Sequence, residues 1–409
     1  MRALHGYWTG LGLAMACAVG QAAPDMISVA DHGAVGDGET DDTQAFLDAV
    51  AAATEAGVHV TVPRGHYVTS ETIELMNVGI SGPAMGAWPA DIDALPSILP
   101  THDRPAFTLA AGGALHALDI TCAPPPDAES GPPAVLITGI GVYISNCRIR
   151  YPWDGIITDG VSNVGRLNIE NVFMVAPRNV GVRVTGTWDV PRLNNIEVWN
   201  AGPVPRGLDK GIGFLLGKND LIRVTDCFAF AMRYGFVLAD EIEGCEIEGG
   251  TWGIMTGCST DYCGTGIEVR GHNTVSISGG TFWDHAEGLV VDGEGARVRI
   301  TGAELKSNGT SCVVVRDCDH TVLTGCTLAR PMEQFVAPAV VFEGGRLVMT
   351  GNHIDGFGAG VKIGPSIRGG VVQGNLIDSR GHAAIVDESE AGKMLIETNL
   401  VQTTAEEAQ

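Results

Sequence analysis

The densest run of chemically capable side chains is Trp283-Asp284-His285-Ala286-Glu287. Two carboxylates in one run supply an acid and a base for proton transfer, and a histidine beside them titrates near neutrality. Asp261 and Tyr262 stand 23 residues before Asp284 and His285, and Lys306 stands 23 after Trp283, followed by Asn308. Two mechanisms are open to this set. Asp284 and Glu287 form an acid and base pair, or Lys306 or His285 removes a proton beside a carboxylate. In the second case Tyr262 is the acid and Arg233 neutralises the bound anion. Trp153, Asp154, Arg178, Arg233, Tyr234, Asp261, Trp283 and Asn308 add aromatic and polar surface suited to holding a ligand.

Groups 23 residues apart meet only if the chain returns to the same place at that interval. A short unit does recur: an apolar residue, a spacer, a small or polar residue, then Cys, Asn or Gly. It reads Ile144-Ser145-Asn146-Cys147, Val224-Thr225-Asp226-Cys227, Ile277-Ser278-Gly279-Gly280, Leu323-Thr324-Gly325-Cys326 and Val372-Gln373-Gly374-Asn375. Anchors placed on it fall at 147, 171, 195, 227, 245, 280, 303, 326, 352, 375 and 399, mostly about 24 apart. A second strand follows each anchor, as in Gly155-Ile156-Ile157, Gly235-Phe236-Val237 and Gly360-Val361-Lys362. Period-two alternation turns one face of each strand inward. Each coil then reads as strand, corner, second strand and turn, and stacked coils pair as parallel strands. The leucine-rich-repeat pattern is absent, and a propeller needs a longer period. The expected fold is all-β, a parallel β-helix solenoid in which residues one coil apart become neighbours.

Composition agrees. Gly contributes 56 of 409 residues and aromatics 6%, which suits many tight turns and short strands. The formal net charge of −23 excludes a nucleic acid partner, because phosphates demand basic patches. Residues 1–23 read as a signal peptide: Arg2, an apolar stretch from Leu11 to Val19, and small residues at Gly20-Gln21-Ala22-Ala23. Export to the periplasm or the medium is expected, with no membrane span. Residues 24–402 form one β-helix domain, with 24–70 as N-terminal cap and first coil and 403–409 as a tail. Cys147, Cys227, Cys245 and Cys326 fall in apolar-alternating strands as small hydrophobes. Cys258/Cys263 and Cys312/Cys318 lie near turns and are candidates for small disulfide loops.

Near the N-terminus, Asp41 is placed as helix N-cap with Gln44 at the capping-box position. Ala45, Phe46, Ala49, Val50 and Ala53 then make an apolar stripe at helical spacing, and Gly57 ends the helix. Such a helix lids the open end of a solenoid. The passage Asp31-His32-Gly33-Ala34-Val35-Gly36-Asp37-Gly38, with Asp41-Asp42-Thr43, Ala45-Phe46 and later Pro63, Gly65 and Tyr67, resembles the opening signature of the pectate lyase superfamily. His32 stands where that signature has Phe. Asp37, Asp41 and Asp42 read as turn and cap residues rather than a metal site.

The resemblance implies a right-handed β-helix with a short N-terminal capping helix and a carbohydrate-active role. The polygalacturonase set of that superfamily is not present: Asp154 is alone where paired aspartates are expected, and Ala176-Pro177-Arg178-Asn179 lacks the histidine. Inverting hydrolysis needs two carboxyl groups across the bond. The expectation is therefore a polysaccharide lyase or glycoside hydrolase of unspecified bond. The alternative is a non-catalytic glycan-binding or structural β-helix, tailspike-like or catalytically degenerate. Lyases of the superfamily often use calcium, but no contiguous loop of calcium spacing appears, so no cofactor is firmly expected. A polysaccharide or glycan is the expected partner, and a homotrimer is the assembly such shafts suggest.

Overall fold

Every strand from residue 26 to residue 402 pairs in parallel with the strand one coil away. The computed structural model describes residues 26–83, 86–87, 93–125, 127–200, 211–284 and 286–402. The expected signal peptide, Cys17, His285 and the tail 403–409 lie outside the described residues.

A representative coil holds three strands rather than two: Thr274–Ser278, Thr281–Asp284 and Glu287–Asp292. They define a first, second and third sheet around a triangular core. The sequence unit spanned two of these strands, because the corner between the first and second sheets takes little more than one residue. That residue is left-handed. Asn146, Asn171, Asp226, Gly257 and Gly279 hold φ of 51–65° there, which bends the chain without a loop. Asn tolerates this region and Gly enters it freely, which explains the residue types at the repeat.

Inside, equivalent residues stack in columns. Ile277, Ile300, Leu323, Met349 and Val372 are successive partners and all buried. Burying one such side chain contributes about 1.5–3 kcal/mol, so the core grows by a fixed increment per coil. The column beside it carries polar groups at its C-terminal end. Asn352 Nδ2 donates to Asn375 Oδ1 at 2.9 Å, and Asn375 Nδ2 to Asn399 Oδ1 at 2.9 Å. This buried ladder leaves the interior amides paired.

The steps are uneven in the middle. Val224 pairs with Met255, 31 residues on, while Met255 pairs with Ile277, only 22 on. The anchor expected at Cys245 is therefore displaced, and the true one is Cys258. Cys245 lies in a surface loop rather than a strand. Its Sγ comes so near Gly160 that a Cβ there would sit 2.5 Å away. The same loop lays Ile242 against a small apolar patch of Ile157, Val180, Leu215 and Val237 on the outside of the third sheet.

The cap is a helix over Thr43–Ala56 with Phe46, Ala49 and Ala53 buried. Its start differs from expectation. The cap position is Asp42, whose carboxylate turns away to accept Val35 N–H at 2.6 Å and Gly36 N–H at 3.1 Å. Asp41 accepts Thr43 N–H at 3.0 Å, and Gln44 Nε2 donates to Asp48 rather than closing a capping box. Tyr67 packs on Gly36 so tightly that a Cβ there would meet its ring at 2.8 Å. The acidic trio thus folds the turn that seats the helix. All nine described cysteines are free thiols. Cys258 Sγ donates to Val224 O and Cys263 Sγ to Ala229 O, so the two point at different carbonyls of the preceding coil.

Candidate functional site

Strand alternation decides which of the expected residues reach solvent. In Thr281–Asp284, Thr281 and Trp283 face out while Phe282 and Asp284 face in. Asp284 is fully buried, with Oδ2 accepting Thr260 Oγ1 at 2.8 Å and Oδ1 without a partner. Burial pushes its carboxyl well above the usual carboxylate range. Asp284 and Glu287 therefore do not form a surface acid and base pair across a shared groove. Glu287 opens the third sheet and accepts Thr265 Oγ1 at 3.2 Å and Thr310 Oγ1 at 3.0 Å.

The 22-residue step shifts the other alignments by one. Asp261 pairs with Trp283, which pairs with Lys306. Lys306 Nζ rests over the Trp283 ring, 4.6 Å from its centre, a cation–π contact. Tyr262 holds a left-handed turn (φ 61°) just past Asp261 and is exposed. Asn308 donates its backbone N–H to Asp284 O, and its own Oδ1 is buried without a partner. Across the corner, Tyr234 carries Arg233 and Arg270 guanidinium groups, each 5.2 Å from its ring centre.

Upstream residues are more structural. Arg178 donates to Pro124 O at 2.8 Å and to Pro125 O, clamping the loop after the second-sheet strand Asp119–Thr121. Trp153 lies against Gly131 in the same loop. Asp154 accepts Asn179 Nδ2 and Val180 N–H, both at 2.9 Å, and burial raises its carboxyl. Arg330, at the end of the second-sheet strand Thr327–Arg330, is buried and holds the Phe335, Ala337 and Phe357 carbonyls.

The sequence reading missed the most extensive feature, on the outer face of the second sheet. Half-buried rings follow one another up the coils and end on exposed Tyr262: Phe173 to Trp199 (6.0 Å), Trp199 to Phe230 (6.5 Å) and Phe230 to Tyr262 (6.1 Å). Trp199, Phe230, Asp261, Trp283 and Lys306 are successive register partners, so the row runs straight into the Trp283–Lys306 pair. Its lower end, at Phe173, meets a largely buried charge cluster in which Asp119 receives both Arg148 and Arg150. Beside the row, Phe173, Glu197, Asn171 and Asn195 line a groove of about 370 Å³. Glu197 sits between Phe173 and Phe228 in register, and burial raises its carboxyl. Along the rim, Asn195 Nδ2 donates to Asn171 Oδ1 at 2.8 Å, and Asn171 Nδ2 to Asn146 Oδ1 at 3.2 Å. The face thus offers flat apolar rings, amide hydrogen-bonding groups, one carboxyl that keeps its proton readily, and cations at both ends. Among the described residues, no three carboxylates, histidines or cysteines converge.

Residues 26–99 match a family model described as rhamnogalacturonase A/epimerase, pectate lyase-like, and residues 287–407 match one for the right-handed β-helix region. The chain is a right-handed parallel β-helix. Solved structures share that β-helix at low identity. The A-module of mannuronan C-5 epimerase AlgE6 from Azotobacter vinelandii is 16% identical, with 92% of this chain and 99% of that one covered and a TM-score of 0.56. A tailspike protein mutant of the Escherichia coli bacteriophage HK620, in complex with a pentasaccharide, is 11% identical over 92% of this chain and 78% of that one, with a TM-score of 0.64. A capsular polysaccharide depolymerase tailspike from the Acinetobacter baumannii bacteriophage Fri1 is 12% identical over 94% and 64%, at a TM-score of 0.50.

Proposed function

We propose that this β-helix acts on a polysaccharide, with the sugar chain laid along the second sheet and cleaved or modified there. The row Phe173–Trp199–Phe230–Tyr262 carries the proposal. Aromatic rings beside a groove lined by amide and carboxyl groups suit ligand capture, and sugar rings present matching apolar faces. The structural neighbours support the same ligand class, since they include a mannuronan epimerase, a tailspike with a bound pentasaccharide and a capsular polysaccharide depolymerase. Glu197 is the proton donor in this reading, because its raised carboxyl stays protonated above the ordinary range. Lys306 and Tyr262 at the far end position or neutralise an acidic unit. Export by the segment 1–23 belongs to the proposal, as does a trimer, which light scattering reads directly. No helix of the described residues is long and apolar enough to cross a membrane.

A second reading, glycan binding without turnover, is favoured by one observation: Asp284 is withdrawn from the surface and leaves the corner with fewer acids. A panel of neutral and acidic polysaccharides separates the two, read by new reducing ends, unsaturated-uronate absorbance and binding. Product formation that Trp199→Ala abolishes supports the enzyme. Binding without product, lost in Trp199→Ala, supports the second reading. Neither binding nor product on any polymer, or indifference to Trp199→Ala, overturns the placement of the sugar on this face.

A further inference from the structure

The corner between the third and first sheets, across the coil from the aromatic row, carries a cleft of about 610 Å³ lined by His272, Glu294, Arg297, Asp319, Arg346 and Arg368. Three arginines in one cleft stand out on a chain of net charge −23. Their arrangement follows from the register. Arg297 and His320 are partners on adjacent coils, and Arg346 stands on the coil after. Asp319 ties two of them in place: Arg297 Nε donates to its Oδ2 at 2.8 Å and Arg346 Nη1 to its Oδ1 at 2.7 Å. Arg368 Nη2 is held by Cys318 O, with Asp317 at 3.7 Å. Each guanidinium has five N–H donors, and these contacts use one nitrogen apiece. The remaining donors of all three are left for the cleft. The His272 Nδ1 edge is engaged by Asp240 at 3.2 Å, which leaves Nε2 on the side of Gly295, another cleft residue.

We propose that this cleft is a second saccharide site, which binds the carboxylate of an acidic sugar unit. A fixed pair of guanidinium forks matches a carboxylate bidentately, and a side chain already anchored loses little entropy on binding. Exposed Glu294 and half-buried Thr274 supply acceptors for sugar hydroxyls, which a bare anion site would not need. The volume fits a sugar unit or two rather than a single ion. Placed across the coil from the aromatic row, the site retains the polymer without entering the chemistry, and it stands independently of the activity proposed above.

The test is calorimetric titration of the full chain with oligoglucuronate, a neutral gluco-oligosaccharide of equal length, and inorganic sulfate. The expected result, in a Trp199→Ala background that removes binding on the aromatic row, is binding of the oligoglucuronate alone, weakened at least tenfold on adding Arg346→Ala or Arg346→Glu. Arg346 is exposed, so both variants should fold, which a melting curve checks. Unchanged affinity on adding either Arg346 variant, or no oligoglucuronate binding in the Trp199→Ala background, overturns the site. Sulfate binding as tight as oligoglucuronate overturns its assignment to a saccharide.

Discussion

Replacing Asn375 by alanine removes the middle rung of the buried ladder. Asn375 Oδ1 accepts the backbone N–H of Asn352 at 3.0 Å and its Nδ2 at 2.9 Å. Its own Nδ2 donates to Met349 O and Gln373 O at 3.2 Å and to Asn399 Oδ1 at 2.9 Å. Gln373 is exposed, so water replaces that contact, and the other four strand groups beside a residue only 1% exposed. With some of these bonds shared, the loss is about 2–5 kcal/mol at roughly 1 kcal/mol per ordinary bond and more for a buried group left unpaired. Asn195→Gly is the control. It deletes one bond on an exposed residue, and glycine accepts the left-handed φ of 49°, so the change is under about 1 kcal/mol. Urea unfolding followed by circular dichroism measures both, and hydrogen exchange at the Cys326 and Asn352 amides localises the effect. Because each coil touches only its neighbours, exchange should rise there and not at the N-terminal cap. Equal shifts in the two variants, or protection unchanged at Asn352, would refute the ladder as a source of stability.

Other perturbations probe the site and the interior. Asp284 has a raised carboxyl in the folded chain, so the folded state binds the extra proton and stability falls as pH rises above the unfolded value near 3.8. Asp284→Asn should melt above the parent at neutral pH and converge with it in acid; a lower melting point at pH 7 would show that the carboxylate is charged and needed. Glu197→Gln should remove the alkaline limb of the activity profile, since the parent loses its acid as pH climbs through the raised value; an unaltered profile assigns the proton to another group. The thiols of Cys147, Cys258 and Cys312, pushed up to about 12 by burial, should resist an aromatic disulfide reagent in the native protein and react on unfolding; rapid native labelling would contradict their burial. Lys306→Ala should weaken acidic glycans at least severalfold more than neutral ones, by competition binding.

Fold and cap were legible because their causes are local. Left-handed corners demand Asn or Gly, inward positions demand aliphatics, and Gly36 against Tyr67 fixes the opening signature. The site was legible only where the period was regular. Ile242-Glu243-Gly244-Cys245 copies the repeat down to a left-handed glycine, yet it is an outer loop, and only tertiary packing tells the two apart. That false rung hid the 31-residue coil from Val224 to Met255, so Phe230 was never aligned with Asp261 and Trp283. Asp284 illustrates the opposite case. Alternation from Phe282 already turned it inward, but a carboxylate in that position breaks the hydrophobic rule, and chemistry suggested the surface.

The ring row repeats with the coil, which makes the proposed binding face a lattice rather than a pocket. A polymer on a lattice has several equivalent registers, each displaced by one rung. Short oligosaccharides would then spread over many weak positions. Longer ones would gain affinity unit by unit through avidity, until they span from Phe173 to the Trp283–Lys306 pair. The length at which affinity stops rising would count the rungs, and slippage by one rung would let the chain creep along the polymer without letting go.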